Sequence, residues 1–501
     1  MEIHISREGN TPVYLQIKNC IKEKILQGEL VNGFKLPSER KLAEQLHVHR
    51  NTVIKVYAAL IRESLIALSN APRGYMVTYE IPGISAKTKN NKKAKYFTPF
   101  NYMVREEFLQ MDSLFSNLYR DSLNGNVISF AVDIISPHVY PKKQLGEILT
   151  DLVTNDKYDL YGFCNPQGTE VLRASIVKLL AERNIKASKN EIQVVSESYA
   201  AMDNLIKLFV SPGDTIIAEE PIPVDTFHFF RLMGVKLVTV PMDKDGMRTD
   251  YLEGLVAKYN PKFIYTVPTF HFPSGITMSL ERRYELLEIA YKYNIPIIEE
   301  DCDSVLRYDG SVIPCLKALD QGENVIYINS FIATVCPGVR VSYMVAPEKV
   351  VEKISRLVEL NEMFINSIGQ YLVSEFLDRG YFEKHVNYLC KHFSDKRDLM
   401  CSELAGWKDR IRIDFEIPKG GTSLWCKLDQ EINQHELLRQ AHKLGVIFAP
   451  GHLFFPYGNQ GENQLRLCYG NASDEEIKRG IELLAQAVEM SKNVGGTKCL
   501  Y

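Results

Sequence analysis

The sequence predicts a multidomain protein. A small helical head precedes a larger α/β body with a mostly parallel sheet and a smaller C-terminal α+β subdomain. Three observations carry that reading. The chain has 501 residues, beyond the length at which one hydrophobic core keeps growing. Residues 1–95 hold 16 Lys and Arg against 8 Asp and Glu, a net of +8, and the rest of the chain is net −11. From Val127 onward, apolar strand-like runs alternate with helical patterns, the order of βαβ units. A basic head on an acidic body points to nucleic acid for the head and to another partner for the body.

Composition narrows the setting. Hydrophobic residues make up 45% and charged residues 24%, as in globular domains. No apolar run is long enough for a membrane span. Met1-Glu2-Ile3-His4 opens no apolar signal core. The ten cysteines contain no C-x-x-C pair, which suits reduced thiols in a cytoplasm and predicts no metal site. The expected division is a head over 1–80, a linker over 81–125, a large domain over 126–381 and a small subdomain over 382–492.

In the head, Val13, Ile17, Ile21 and Ile25 recur at helical spacing from Pro12 to Leu30. Ser38 after Pro37 is a plausible N-cap for a short helix with Leu42, Ala43 and Leu46 on its apolar face. After the turn His47-Val48-His49, a second helix runs from Arg50 to Leu60. Its residues Val53, Val56, Tyr57 and Leu60 face inward, and Arg50, Asn51, Thr52 and Lys55 face outward. Two short helices across a tight turn, the second with a basic start, fit a helix-turn-helix. Ser69 to Val77 reads as a hairpin with Arg73-Gly74 at its tip. The tract Lys87–Lys95 is polar and basic and reads as a solvated spacer. Met103 to Leu123 is expected to add a helix to the body.

The pattern L-P-S-x-R-x-L-A-x-x-L…R-x-T-V-x-x-x-Y-x-x-L is met almost position by position from Leu36 to Leu60. In this the head resembles the winged helix-turn-helix of the GntR family. That resemblance implies phosphate contacts from Ser38 and Arg40, major-groove entry by Arg50, Asn51, Thr52 and Lys55, and Arg73 on the wing. His49 stands where the family usually has Ser. The alternative, a small helical domain with ordinary surface charge, leaves the agreement of charge, spacing and motif without a cause.

In the body, strand-like runs fall at Ile192–Val195, Thr215–Ala218, Lys236–Val240, Phe263–Val267, Ile295–Ile298, Val325–Ile328 and Val341–Val345. Motifs accompany them. Tyr161-Gly162 with Gly168 and Leu172-Arg173, Pro212-Gly213-Asp214 with Glu219-Glu220-Pro221, Pro268 to Gly275, Ile297 to Ser304, Asn329 to Pro347, and Leu465-Arg466-Leu467 follow one another in order. Together they resemble a fold type I aminotransferase, a pyridoxal-phosphate (PLP) enzyme. A GntR head on such a body is the architecture of the MocR subfamily of bacterial regulators.

The resemblance implies a role for each matching position. Ser330 and Arg340, with Ser196 and Ser198, match the cofactor-phosphate site. Tyr161 matches a tyrosine that reaches that phosphate from a partner subunit. Glu300 falls where an aspartate holds the pyridine nitrogen, and Arg466 where an arginine grips a substrate carboxylate. Other positions depart. The Schiff-base lysine falls on Ala333, whose methyl group cannot form an imine. Glu197 replaces a glycine between the two serines, where its charge opposes a phosphate and its backbone is expected to want glycine. Cys302 and Pro223 replace two tyrosines. The expectation is a DNA-binding transcription regulator, a homodimer on a double-stranded operator. Its degenerate body senses a PLP-like or amino-acid-like effector without catalysis. PLP is expected from the family, with no covalent attachment at Ala333 and non-covalent binding open. The alternative is a PLP aminotransferase using a displaced lysine.

Overall fold

A computed structural model describes residues 12–26, 30, 33–46, 48–63, 65–70, 73–78, 113–155, 157–429, 432–457 and 460–494. The chain divides into two compact units, Met1–Val104 and Arg105–Tyr501. Each is described separately. The expected spacer Lys87–Lys95 lies outside the described residues.

The head contains helices Val13–Leu26, Glu39–Gln45 and Arg50–Arg62. Ile17, Ile21 and Ile25 of the first helix are buried with Leu42, Val53, Val56, Tyr57 and Leu60, so the helical spacing does form the core. The first helix stops at Leu26, short of Leu30. Ser38 caps the second helix by accepting from Lys41 N–H at 3.3 Å. His49 caps the third, its Nδ1 accepting from Asn51 N–H at 3.3 Å, so an imidazole does the work of the family hydroxyl.

The hairpin differs from the expectation. Its strands are Ile66–Asn70 and Arg73–Val77, with Ile66 opposite Val77 and Asn70 opposite Arg73. Arg73 therefore begins a strand, and the tip falls at 71–72, outside the described residues, as does the Arg73 side chain. Ile66 and Val77 are both buried, and that apolar pair sets the register.

The body is built on an eight-stranded sheet. In spatial order its strands are Ile192–Val195, Ser342–Val345, Val325–Ser330, Ile297–Glu300, Phe263–Thr266, Thr215–Glu220, Lys236–Asp243 and Gly246–Met247. The pairings from Val325–Ser330 through Lys236–Asp243 are parallel; Ser342–Val345 is antiparallel to both neighbours and Gly246–Met247 to its one. The central strands are buried along their whole length, as a sheet covered on both faces requires. The strand expected at Ile295–Ile298 starts at Ile297. Asn294 is left-handed and Ile295 N–H closes the preceding helix on Ala290 O at 3.0 Å; Pro296 then has no N–H to give. The strand runs on to Glu300, which places that residue at its carboxyl end.

A second sheet orders Asp414–Phe415, Ser423–Lys427, Gln464–Cys468, Val446–Pro450 and Ile128–Phe130. The short strand Ile128–Phe130 thus belongs to the small sheet, parallel to Val446–Pro450, although more than three hundred residues lie between them. Helices Tyr381–Ile411, Gln434–Leu444 and Asp474–Val494 accompany this sheet. The helix expected between Met103 and Leu123 is seen over Ser113–Asn124. No helix of the described residues is long and apolar enough to cross a membrane.

Candidate functional site

In the head, the polar end of helix Arg50–Arg62 is exposed at Arg50, Asn51 and Lys55, with Thr52 half-buried; Ser38 and Arg40 are exposed at the start of the preceding helix. Arg50 is not free. Its Nε and Nη2 donate to one oxygen of Glu39 at 3.1 and 2.6 Å, and the Tyr75 hydroxyl donates to the other at 2.7 Å. The Arg50 and Tyr75 hydrogen bonds hold the Glu39 carboxyl below its ordinary pKa. The guanidinium is thereby aimed by a neighbouring helix and the hairpin.

In the body, a cleft of about 310 Å³ opens where the parallel strands end. Loops after five strands reach it. They bring Ser198 and Glu197, Pro223 to Thr226, Val267 with Phe270 and Phe272, Glu300 with Cys302 and Asp303, and Ser330 with Ala333. Carboxyl ends of parallel strands are where open α/β sheets bind ligands. Arg466 enters from the small sheet, with Asp133 from the loop after Ile128–Phe130. The structure thus gathers Ser198, Glu300, Ser330 and Arg466 with the departures Glu197, Pro223, Cys302 and Ala333. Ser196 and Arg340 do not line the cleft; Arg340 reaches it only through Glu197. Tyr161 is 89% exposed on a loop away from it.

At the phosphate end, Arg340 Nη1 is ion-paired with Glu197. The carboxylate expected to repel a phosphate has taken the phosphate's guanidinium. Glu197 has φ −161, an extended backbone that any residue adopts, so glycine is not required there. Burial raises the Glu197 pKa against the opposing pull of Arg340. The Ser330 hydroxyl is also engaged, accepting from Ile332 N–H at 3.2 Å and from the Ser342 hydroxyl at 2.8 Å.

The floor of the cleft is acidic. Strand alternation points Glu300 into it and Asp301 into the core, where Asp301 accepts from the Tyr327 hydroxyl at 2.8 Å and pairs with Arg183 at 2.5 Å. Glu300 accepts from the Tyr265 hydroxyl at 2.6 Å, and Cys302 Sγ lies 3.6 Å from its other oxygen. Burial, then Glu300 and Asp303, push the Cys302 thiol well above its ordinary pKa. Asp303 is pushed up to about 7 by burial and by the charges of Asp133 and Glu300.

Arg466 is fully buried. Its Nη2 donates to Ala131 O at 2.6 Å, and its guanidinium lies 4.3 Å from the Phe272 ring and 5.3 Å from that of Phe454. Its Nε and Nη1 have no hydrogen-bond partner among the described residues. Buried unpaired donors on a charged group are costly and call for an anion.

These residues do not fit PLP as its enzymes hold it. Ala333 has no amine, no lysine lines the cleft, and the guanidinium matched to the phosphate is already neutralised. The loss of an aromatic at Pro223 is offset, because Tyr199, Tyr265, Phe270 and Phe272 line the cleft. Motif reading did not assign roles to Asp133, Asp225, Asp303 or Phe272. Asp303 and Phe272 sit inside recognisable motifs and were within reach. Asp133 and Asp225 carry no local signal.

Aminotransferase class I and II matches residues 133–484, and the bacterial regulatory proteins of the gntR family match residues 13–71. An uncharacterized HTH-type transcriptional regulator of Bacillus subtilis, YisV, is 26% identical over 96% of this chain and 97% of its own. The probable rhizopine catabolism regulatory protein MocR of Rhizobium meliloti is 25% identical over 96% and 95%. Among solved structures, a multiple substrate aminotransferase from Thermococcus profundus superposes with a TM-score of 0.74 at 26% identity, covering 79% of this chain and all of that one.

Proposed function

The chain belongs to the aminotransferase class I and II family, and from that premise we propose that it is a DNA-binding transcription regulator whose aminotransferase-like body senses a small molecule and no longer transaminates. One observation carries this reading: a gntR-type head with an exposed basic helix start shares a chain with an aminotransferase-type body whose cleft is lined by Ala333, the residue that the motif resemblance sets at the lysine position, and by no lysine. Relatives with regulator names align along almost the whole length, head included. In the head, Arg50, Asn51, Thr52 and Lys55 enter the major groove, Ser38 and Arg40 hold backbone phosphates, and Arg73 sits on the wing. The regulator acts as a homodimer on paired half-sites, with the exposed Tyr161 turned toward the partner. PLP is not attached covalently, and catalysis is absent.

A gel shift of the full-length protein on its own upstream promoter, with and without candidate effectors, tests the regulator. The expected result is a specific shift at moderate salt. Its absence under every ligand overturns the reading. Borohydride treatment after incubation with PLP tests the body; a stable reduced adduct together with amino-group transfer establishes the enzyme alternative.

A further inference from the structure

The cleft contains five carboxylates, Asp133, Glu197, Asp225, Glu300 and Asp303, and one guanidinium, Arg466. Arg340 cancels Glu197. Asp133, Asp225, Glu300 and Asp303 remain beside one cation, and even with Asp303 pushed up to about 7 by burial and then by the charges of Asp133 and Glu300, the carboxylates outnumber the guanidinium and favour a cationic group over an anionic one. The second observation is independent of this charge count. Arg466 is completely buried and leaves Nε and Nη1 unpaired among the described residues, two donors on a buried cation that call for an anion.

We propose that Glu197 is a built-in substitute for a ligand phosphate, and that the cleft takes a phosphate-free basic amino acid, its carboxylate on Arg466 and its ammonium groups on Glu300, Asp303 and Asp133. The proposal deepens the sensor reading above and rests on it. Both charges of such a ligand find partners that the protein alone leaves wanting. Tyr199 and Tyr265 also line the cleft, and an aromatic wall suits an ammonium group.

Calorimetry on the full-length protein tests this with L-lysine, L-ornithine and L-arginine, against L-norleucine, cadaverine, L-glutamate and PLP. At least one basic amino acid binds, and binds at least about tenfold tighter than each of the other four. Asp303→Asn weakens that ligand by a similar factor and leaves L-norleucine unchanged. Arg466→Met removes binding of the amino acid and leaves cadaverine unchanged. Glu197→Gly raises the affinity for PLP at least about tenfold by releasing Arg340. L-norleucine or PLP binding as tightly as the basic amino acids overturns the ligand class. An unchanged PLP affinity in Glu197→Gly overturns the substitute role. Should Arg466→Met fail to fold, Asp303→Asn decides alone. Binding without any effect on the operator shift leaves the ligand class standing and overturns the sensor reading. A specific operator shift with no binding of any basic amino acid does the reverse.

Discussion

The two ends of the cleft treat an arginine in opposite ways. At one end Arg340 is held by the chain's own Glu197. At the other, Arg466 is buried in the cleft wall with two donors unpaired among the described residues. A guanidinium answered from within is a finished structural element. One left unanswered keeps part of its binding free energy for a molecule that comes and goes. In the head, Arg50 is answered by Glu39, yet it stays half-exposed and Glu39 aims it outward, so an internal partner does not by itself retire an arginine.

The largest effect should come from trying to return the closed end to its enzyme form. Ala333→Lys is expected to give a Schiff base at most, with turnover at least about a hundredfold below that of a working aminotransferase, because displacements near an ångström cost about that much. Glu300, Cys302, Pro223 and the Glu197–Arg340 pair all remain altered. Absorbance of the aldimine and production of keto acid are the measurements; robust transamination by the single variant would show that only the lysine had been lost.

Arg50→Ala is expected to weaken specific operator binding by about 1–3 kcal/mol, while the fold and assembly persist. Fluorescence anisotropy on the operator and on a scrambled duplex separates this from a general loss. An unchanged operator affinity would misplace the recognition helix.

Next is the open end. In the absence of ligand, Arg466→Met should stabilise the body by about 1–3 kcal/mol, because an apolar side chain of similar length replaces a buried cation that no carboxylate reaches by a hydrogen bond among the described residues. Thermal unfolding with and without L-lysine reads it. A lower melting temperature would mean that the bond to Ala131 O and the rings outweigh the unpaired donors.

The smallest effect is a slope. Asp303 is raised to about 7, above its unfolded range near 4, so the folded state binds more protons between those values. The contribution of Asp303 to stability then falls as pH rises from about 4 to 7 and levels off above, against the opposite contribution of His271 and His385, which burial lowers to about 3 and about 4. Glu219, raised to about 7 by burial, acts in the same sense as Asp303. Asp303→Asn should remove its share and leave the other contributions in place; a parallel curve would assign the whole slope to other groups.

Much of this was legible in the sequence because it is local. Helical spacing placed Ile17, Ile21 and Ile25, and apolar runs placed the strands to within three residues of their ends. The motif Ile297 to Ser304 brought Glu300 to the cleft because strand alternation is a period of two. The rest depends on distant partners. No spacing rule pairs Arg340 with Glu197, 143 residues earlier, or lays Phe272 under Arg466. The hairpin was misregistered because the turn residues at its tip drew more weight than the buried pair at its base. The glycine expected at Glu197 was unnecessary because that backbone is extended.

The pairing of Ile128–Phe130 with Val446–Pro450 also sets an order of events during synthesis. The strand that leads to Asp133, and to the Ala131 carbonyl that holds Arg466, has to wait for nearly the entire body before its partner leaves the ribosome. The head's core is complete at Val77. At ~5–20 residues per second the gap is on the order of tens of seconds. A nascent chain therefore carries a completed head well before the small sheet that holds Arg466 can close.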